Sequence, residues 1–442
     1  MREGRQRKQI HLAAHFPGVN NTTVWSDPAS GSQIEFESFV HLAEVAERGL
    51  FDFFFLAEGL RLREHRGRIH DLDVVGRPDT FTVLAALAAV TERLGLIGTI
   101  GTTFNEPFEV ARQFATLDHL SDGRAGWNMV TSSDAFTGEN FRRGGYLQHD
   151  DRYHRAEEFV TVARSFWDSW DADAVLADDA RGVYADPHRI RAVEHRGTQF
   201  DIRGVATLPA GPQGHPILLQ AGDSSDGRNF GARHADGLFT MHTELAAGQK
   251  YYADVKARAA ANGRDPARLK VFPAATVVLG DTPDEAADRA RHIRLQQVSG
   301  PVAIAAVEQV WQRDLSSYDP DGPLPDVEPI DDPTITQGRV RHVDPKAVAA
   351  AWRERAAAEN LGIRELVIAA TNREQFVGTP TQVAEDIDLH VQSDACDGFI
   401  LVPHLTPHGL DEFVDAVVPL LQERGAFRAE YSGLTLRENL GL

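Results

Sequence analysis

The residues best placed to do chemistry sit where short apolar runs give way to polar ones. His15 closes the run Ile10–Phe16, and Glu58 follows Asp52–Ala57. Thr102-Thr103 follow Leu94–Thr99, and Asn128 interrupts Ala125–Val130 just ahead of Thr131-Ser132-Ser133. Gly222-Asp223-Ser224-Ser225 follow Gln220-Ala221, and His242 and His404 come after two later runs. In a closed barrel of parallel strands the C-terminal strand ends line the site, so these residues would share one mouth. Their types offer few candidates for strong acid–base work, and no Ser-His-Asp motif is present. The 18 histidines include no His-Glu-x-x-His spacing, so no metal site is expected.

Two local patterns point toward an anion. Gly222-Asp223-Ser224-Ser225 stands between a strand and a helix, where free backbone N–H groups and hydroxyls favour a phosphate. Simple N-capping by Ser224 or Asp226 explains the same residues. His149 and Tyr153 are four apart, hence on one helical face, and both offer hydrogen-bond donors. A solvent-facing polar helix start fits them equally well. Phe54 and Leu56, read by strand alternation, join Glu58 on the inward face and give a substrate pocket an apolar wall.

The elements that must position these residues alternate strand and helix. Helical spacing marks Phe36–Ala46, Thr82–Thr91, Phe108–Leu117, Arg228–His234, Tyr251–Ala261, Pro283–Gln297 and Leu410–Arg424, with about eight strands between. That count predicts an α/β fold, a (β/α)8 TIM barrel formed by a single domain over 1–442. Insertions are expected at about 138–213 and 299–344, the second as a lid.

The formal charge of −20, from 65 acidic and 45 basic residues, speaks against nucleic acid and anionic membrane surfaces as partners. The longest apolar stretch, Phe81–Gly101, carries Glu92 and Arg93, so no membrane span is expected. The N-terminus is a poor signal peptide, and a cytoplasmic location follows. The one cysteine, Cys396, precedes Phe399-Ile400-Leu401-Val402 and is read as a buried, inert thiol.

Taken together, the motifs resemble the flavin-dependent monooxygenases of the bacterial-luciferase superfamily, in the branch of nitrilotriacetate, dibenzothiophene-sulfone and long-chain alkane monooxygenases. Matching pieces are Phe55-Leu56-Ala57-Glu58, Asn105-Glu106-Pro107-Phe108 and the block Thr116–Ser132. Further on come Arg152-Tyr153, Phe166-Trp167-Asp168-Ser169-Trp170, Gln220-Ala221-Gly222 with Ser224, and Val377-Gly378-Thr379-Pro380. The resemblance runs from about Ala13 to Leu421.

It implies a luciferase-like barrel that binds FMN at its C-terminal mouth. The flavin arrives as FMNH2, by diffusion from a separate NAD(P)H:flavin reductase. It reacts with O2 as co-substrate and passes one oxygen atom to a small organic substrate through a flavin peroxide. Glu58 would contact the flavin at a position more usually Asp, and Thr103 and Asn128 would approach the ring. His149, Tyr153 and Ser224 would hold the phosphate end, with Ser225 a further candidate. His15 and Asn128 would serve the reaction, His15 by donating a hydrogen bond to an oxygen. Asp223 puts a negative charge near the phosphate, unfavourable unless it turns outward or Arg228 offsets it. A homodimer or homotetramer is implied as well. The competing readings are a deazaflavin-dependent dehydrogenase on the same barrel and a flavin-binding homologue without turnover.

Overall fold

A computed structural model describes residues 7–69, 75–132, 135–142, 151–330, 336–337, 344–371 and 374–442. Eight strands form the barrel: β1 (His11–Phe16), β2 (Phe53–Leu56), β3 (Gly95–Gly101), β4 (Ala125–Val130), β5 (Ile217–Gln220), β6 (Gly237–Thr240), β7 (Lys270–Leu279) and β8 (Gly398–Leu401). Every neighbouring pair is parallel, from β1–β2 round to β8–β1, so the sheet closes on itself without a free edge. This is the (β/α)8 barrel expected. A further strand, Glu374–Gly378, pairs with the outer half of β7 and takes no part in the closure.

Helices cover the sheet: α1 (Phe36–Arg48), α2 (Thr80–Ala88), α3 (Pro107–Leu120), α4 (Arg152–Trp167), α5 (Ser225–His234), α6 (Leu245–Ala261) and α7 (Pro283–Gln297). After them come α8 (Gly300–Trp311), α9 (Pro345–Glu359), α10 (Ile363–Thr371) and α11 (Pro380–Gln392). The C-terminal run Leu410–Arg424 divides into α12 (Asp411–Ala416) and α13 (Val418–Glu423), and α14 (Leu436–Asn439) ends the order. The family-like tetrapeptide Val377-Gly378-Thr379-Pro380 has a local task here. Thr379 caps α11 in a reciprocal box with Gln382, and Pro380 takes the first turn, where its missing N–H costs nothing.

Two apolar layers result from the strand alternation. Leu12, Ala14, Phe16, Phe54, Leu56, Leu96 and Trp127 face the helices, while Ala13, Phe53, Phe55, Ile97, Ile217, Leu219 and Phe272 fill the barrel. The expected inward set of β2 is therefore corrected: Phe54 and Leu56 point away from the barrel interior, and Phe53 and Phe55 point into it. The register explains this, since Ala13 and His15 lie opposite Phe53 and Phe55. A run of three phenylalanines buried on both faces carries no alternation to read. Glu58 lies beyond Leu56, the last residue of the strand, so strand alternation does not reach it.

The block around Asp118–Arg124 works at the opposite end from the mouth. Asp122 and Gly123 turn with positive φ (52° and 85°), the conformation that the Asp-Gly pair supplies. Buried Arg124 donates to the carbonyls of Ser121, Leu94 and Thr91, and Asp118 accepts from the Ala125 N–H and the Gln213 amide. At the same end Leu436 and Leu440 of the C-terminal segment pack on Phe53, Ile97 and Phe272 and floor the barrel. Gly95 is required there: a Cβ on it would lie 2.6 Å from Leu436 Cδ1.

The stretch expected as a long loop from 299 begins as α8, which shares an apolar core with α9 and α10 through Ile304, Val307, Trp311, Ala349 and Ile363. It is tied to the chain after β2 by His65 Nε2 and Glu308 Oε2 at 2.6 Å. The earlier insertion holds α4 and two small antiparallel pairs, 175–178 with 183–185 and 193–196 with 201–204. Among the described residues no helix is long and apolar enough to cross a membrane. Cys396 is buried, and burial pushes its thiol well up, in line with an unreactive side chain.

Candidate active site

The C-terminal end of the barrel carries a ring of polar side chains. His15, at the end of β1, is buried, and its Nδ1 lies 3.0 Å from the Phe55 carbonyl. A carbonyl only accepts, so Nδ1 carries the hydrogen and Nε2 keeps a lone pair. Burial lowers the imidazole to about 4, opposed in part by that hydrogen bond and assisted by the charge of Arg77. At neutral pH the ring is uncharged, and Nε2 accepts rather than donates. The donor role expected for His15 is revised accordingly. Phe55 tilts against His15 at 5.3 Å and stacks on Phe239 of β6 at 5.8 Å, so these inward rings take the place expected of Phe54 and Leu56.

Glu58 accepts from the Gly101 N–H through Oε2 at 3.1 Å. Burial raises its carboxyl to about 7; the Gly101 bond opposes this and nearby Asp79 adds to it. Glu58 therefore holds a proton part of the time at neutral pH. Arg77 braces this corner from the carbonyls of Pro17 (3.1 Å) and Glu58 (3.4 Å), which joins the loops after β1 and β2.

Asn128 lies buried on β4 beside its register partner Thr99 and donates to that hydroxyl at 2.9 Å. Its Oδ1 is buried, with no partner among the described residues. Buried polar atoms are nearly always paired, so this oxygen, on the same end of the barrel as His15 and Glu58, has hydrogen-bonding capacity left for a ligand group. Thr103 accepts from the Ser132 N–H at 3.0 Å and binds the loops after β3 and β4 together. Arg155 of α4 secures the β3 loop from below, donating to the carbonyls of Thr102 (3.0 Å) and Asn105 (2.9 Å).

A second group forms where α4 meets the start of α5. Tyr153 Oη lies 3.5 Å from Ser224 Oγ, and Ser224 caps α5 by accepting from the Gly227 N–H at 3.1 Å. Ser225 is the first residue of that helix and is exposed. The close approach depends on two glycines. A Cβ on Gly222 would lie 2.9 Å from Tyr153 Oη and 2.4 Å from Gln220 Nε2, and one on Gly227 would lie 2.7 Å from the same hydroxyl. Gln220 Oε1 is a further buried oxygen without a partner among the described residues. The charge of Asp223 is answered locally, by Arg228 at 2.9 Å and by His242 Nε2 at 3.1 Å.

Of the residues singled out in the sequence, His15, Glu58, Thr103 and Asn128 thus share one end of the barrel, and Tyr153 of α4 meets Ser224, next to Ser225, at the start of α5. His149 lies outside the described residues. Sequence reasoning assigned no site role of their own to Thr99, Arg77, Gln220, Phe55, Phe239 or the glycine pair. Only the Gly222–Gly227 spacing left a local trace, because the others matter through strand register and long-range contact.

Comparison with known proteins agrees with this architecture. A family model described as "Luciferase-like monooxygenase" matches residues 19–398. The N-acetyl-S-(2-succino)cysteine monooxygenase of Bacillus subtilis (strain 168) is 40% identical over 445 residues, 99% of this chain and 97% of that protein. Nitrilotriacetate monooxygenase component A of Aminobacter aminovorans is 39% identical over 430 residues, 94% of this chain and 92% of its own length. The crystal structure of riboflavin lyase (RcaE) with modified FMN and substrate riboflavin superposes with a TM-score of 0.80 at 31% identity, covering 98% of this chain and 96% of that one. With its closed barrel, its polar mouth and relatives matched along nearly their whole length, the chain belongs to the luciferase-like monooxygenase family.

Proposed function

We propose that this chain is the oxygenase component of a two-component monooxygenase. It takes FMNH2 by diffusion from a separate NAD(P)H:flavin reductase and uses O2 to insert one oxygen atom into a small organic substrate. The observation that carries this reading is the ring of polar side chains at the C-terminal end of the barrel, together with the Tyr153 and Ser224 hydroxyls that meet at the start of α5. The buried Asn128 Oδ1, without a partner among the described residues, would suit a ring N–H, and the Tyr153 and Ser224 hydroxyls, whose close approach Gly222 and Gly227 allow, would suit a phosphate. The relative named component A supports a separate partner component, and the neighbour holding modified FMN supports the flavin.

Reduced FMN, when bound, would supply the two electrons that activate O2, and O2 would supply the oxygen atom transferred to the substrate. The protein's own residues have simpler tasks. Tyr153, Ser224, Ser225 and the N–H groups that open α5 would hold the phosphate, where the helix dipole favours negative charge. Asn128, Thr103 and Glu58 would hold the ring. Glu58, titrating near neutrality, can present either an acceptor or a donor. His15 can take a hydrogen bond or a proton at Nε2, and Phe55 and Phe239 give the pocket an apolar wall that excludes water.

The test is oxygen uptake by the purified protein with photoreduced FMN, run beside hydride exchange with a reduced deazaflavin. Oxygen consumption that depends on both protein and FMNH2 is the expected result. Hydride exchange with the deazaflavin and no oxygen consumption would replace this reading by the dehydrogenase one. A panel of thioethers, aminocarboxylates, sulfones and alkanes, each with a generic flavin reductase, then identifies the substrate class.

A further inference from the structure

On the outer surface, three side chains bring their ligand atoms together. His41 belongs to α1, while His408 and Asp411 lie just after β8 at the start of α12. His41 Nε2 is 3.0 Å from Asp411 Oδ1 and 3.2 Å from Oδ2, and His408 Nδ1 is 3.0 Å from His41 Nε2. His408 Nδ1 to Asp411 Oδ2, at 3.8 Å, closes the triangle. Ligand atoms bound at Zn–N and Zn–O lengths of about 2.0–2.1 Å around a tetrahedral ion stand about 3.3 Å apart. The observed edges bracket that value.

Hydrogen bonding alone satisfies this cluster poorly. If His41 Nε2 carries its hydrogen toward Asp411, His408 Nδ1 faces a donor at 3.0 Å and must present a lone pair to it, so one hydrogen is shared between two acceptors. If both ring nitrogens carry hydrogens, two donors abut. A cation replaces the contested hydrogen and is met by three lone pairs. Two imidazoles and a carboxylate suit zinc and its first-row neighbours rather than calcium or magnesium.

We propose that His41, His408 and Asp411 form a binding site for a divalent transition-metal ion, Zn²⁺ by preference, with water completing the coordination. The side chains are about one-third to one-half exposed, which gives an ion access and leaves room for that water. The site bridges the place where the barrel closes, since β1 pairs with β8 and the ligands come from the segments that follow those two strands. It is a clip between the first and last units of the barrel and needs no flavin. Arg48 and Asp415 pair across the same two helices, so the ligands come from elements already in contact.

The test is titration of untagged, chelator-stripped protein with ZnCl₂ by calorimetry, and thermal unfolding with and without the ion. We expect one ion per chain, at least tenfold weaker binding in His408→Ala and in Asp411→Asn, and a zinc-dependent rise in Tm that both variants lose. His41→Gln is the third arm, and circular dichroism checks that each variant folds. Absence of 1:1 binding in the wild type would overturn the proposal. Binding that survives all three substitutions would also overturn it, by assigning the ion to other surface histidines.

Discussion

Tyr153 Oη and Ser224 Oγ lie 3.5 Å apart although 71 positions separate them in the chain. One hydroxyl comes from the first turn of α4 and the other from the cap of α5, so the contact exists only once both helices have docked on the barrel. Replacing the pair, Tyr153→Phe with Ser224→Ala, removes two donors to a charged group. Such hydrogen bonds contribute about 1.5–3 kcal/mol each, so FMNH2 affinity should fall roughly 100-fold or more. Loss of the Ser224 cap costs about 1 kcal/mol, and the fold survives it. Anaerobic fluorescence titration measures the affinity; an unchanged Kd would reject the phosphate assignment.

Glu58 provides a test by pH. Its folded-state pKa is raised to about 7 from an ordinary 4.5, so the native state prefers the neutral form and loses stability as pH climbs between those values. Glu58→Gln removes the ionisation. The variant without flavin should exceed the wild type by about 3 kcal/mol at most at pH 8, and by under roughly 1 kcal/mol at pH 5. Urea unfolding at the two pH values checks this, and an equal gap at both would show that the carboxyl does not titrate as described.

His15 can be split into its two nitrogens. His15→Asn retains a donor for the Phe55 carbonyl and deletes the acceptor at Nε2. If Nε2 serves oxygen transfer, product formed per O2 should drop about tenfold or more, with H₂O₂ making up the difference, while flavin binding stays near wild type. Wild-type coupling in His15→Asn would leave His15 with a packing role only.

Arg428 and Asp52 pair at the barrel floor, where His11 Nδ1 and the Leu12 N–H also reach the carboxylate. Burial alone would raise Asp52, but Arg428 and His11 outweigh it and hold the carboxyl below its usual range. Arg428→Met should cost about 3–5 kcal/mol at pH 7, since it strands a buried charge. A depressed carboxylate stabilises above its unfolded pKa and stops doing so as pH falls through the folded one. The deficit should therefore narrow as pH falls, because the carboxyl stranded by burial takes up its proton at a higher pH than the paired one. A deficit independent of pH would assign it to lost packing.

The barrel was legible because eight strand–helix units carry their own caps and turns, from Asp122-Gly123 to Thr379-Pro380. Strand ends then pointed to His15, Glu58, Thr103 and Asn128, all four at the mouth. The facing of β2 was not legible, since Phe53, Phe54 and Phe55 are equally apolar and the choice rests on the register with β1. The donor state of His15 was hidden as well, because the Phe55 carbonyl that fixes it lies 40 residues away. The third helix layer, α8 to α10, is not legible in the sequence: its connection is rich in Pro and Asp, and the burial of the alanine-rich α9 depends on Trp311 and Ile363 elsewhere.

Leu436 and Leu440 follow every barrel strand in chain order, yet they seal the end where those strands begin. During synthesis the ring of strands can assemble while its base still stands open to water, with Phe53, Ile97 and Phe272 wetted from beneath. A ribosome-stalled chain lacking only the last dozen residues would hold a complete sheet and still bind a hydrophobic dye, and release of those residues would quench it.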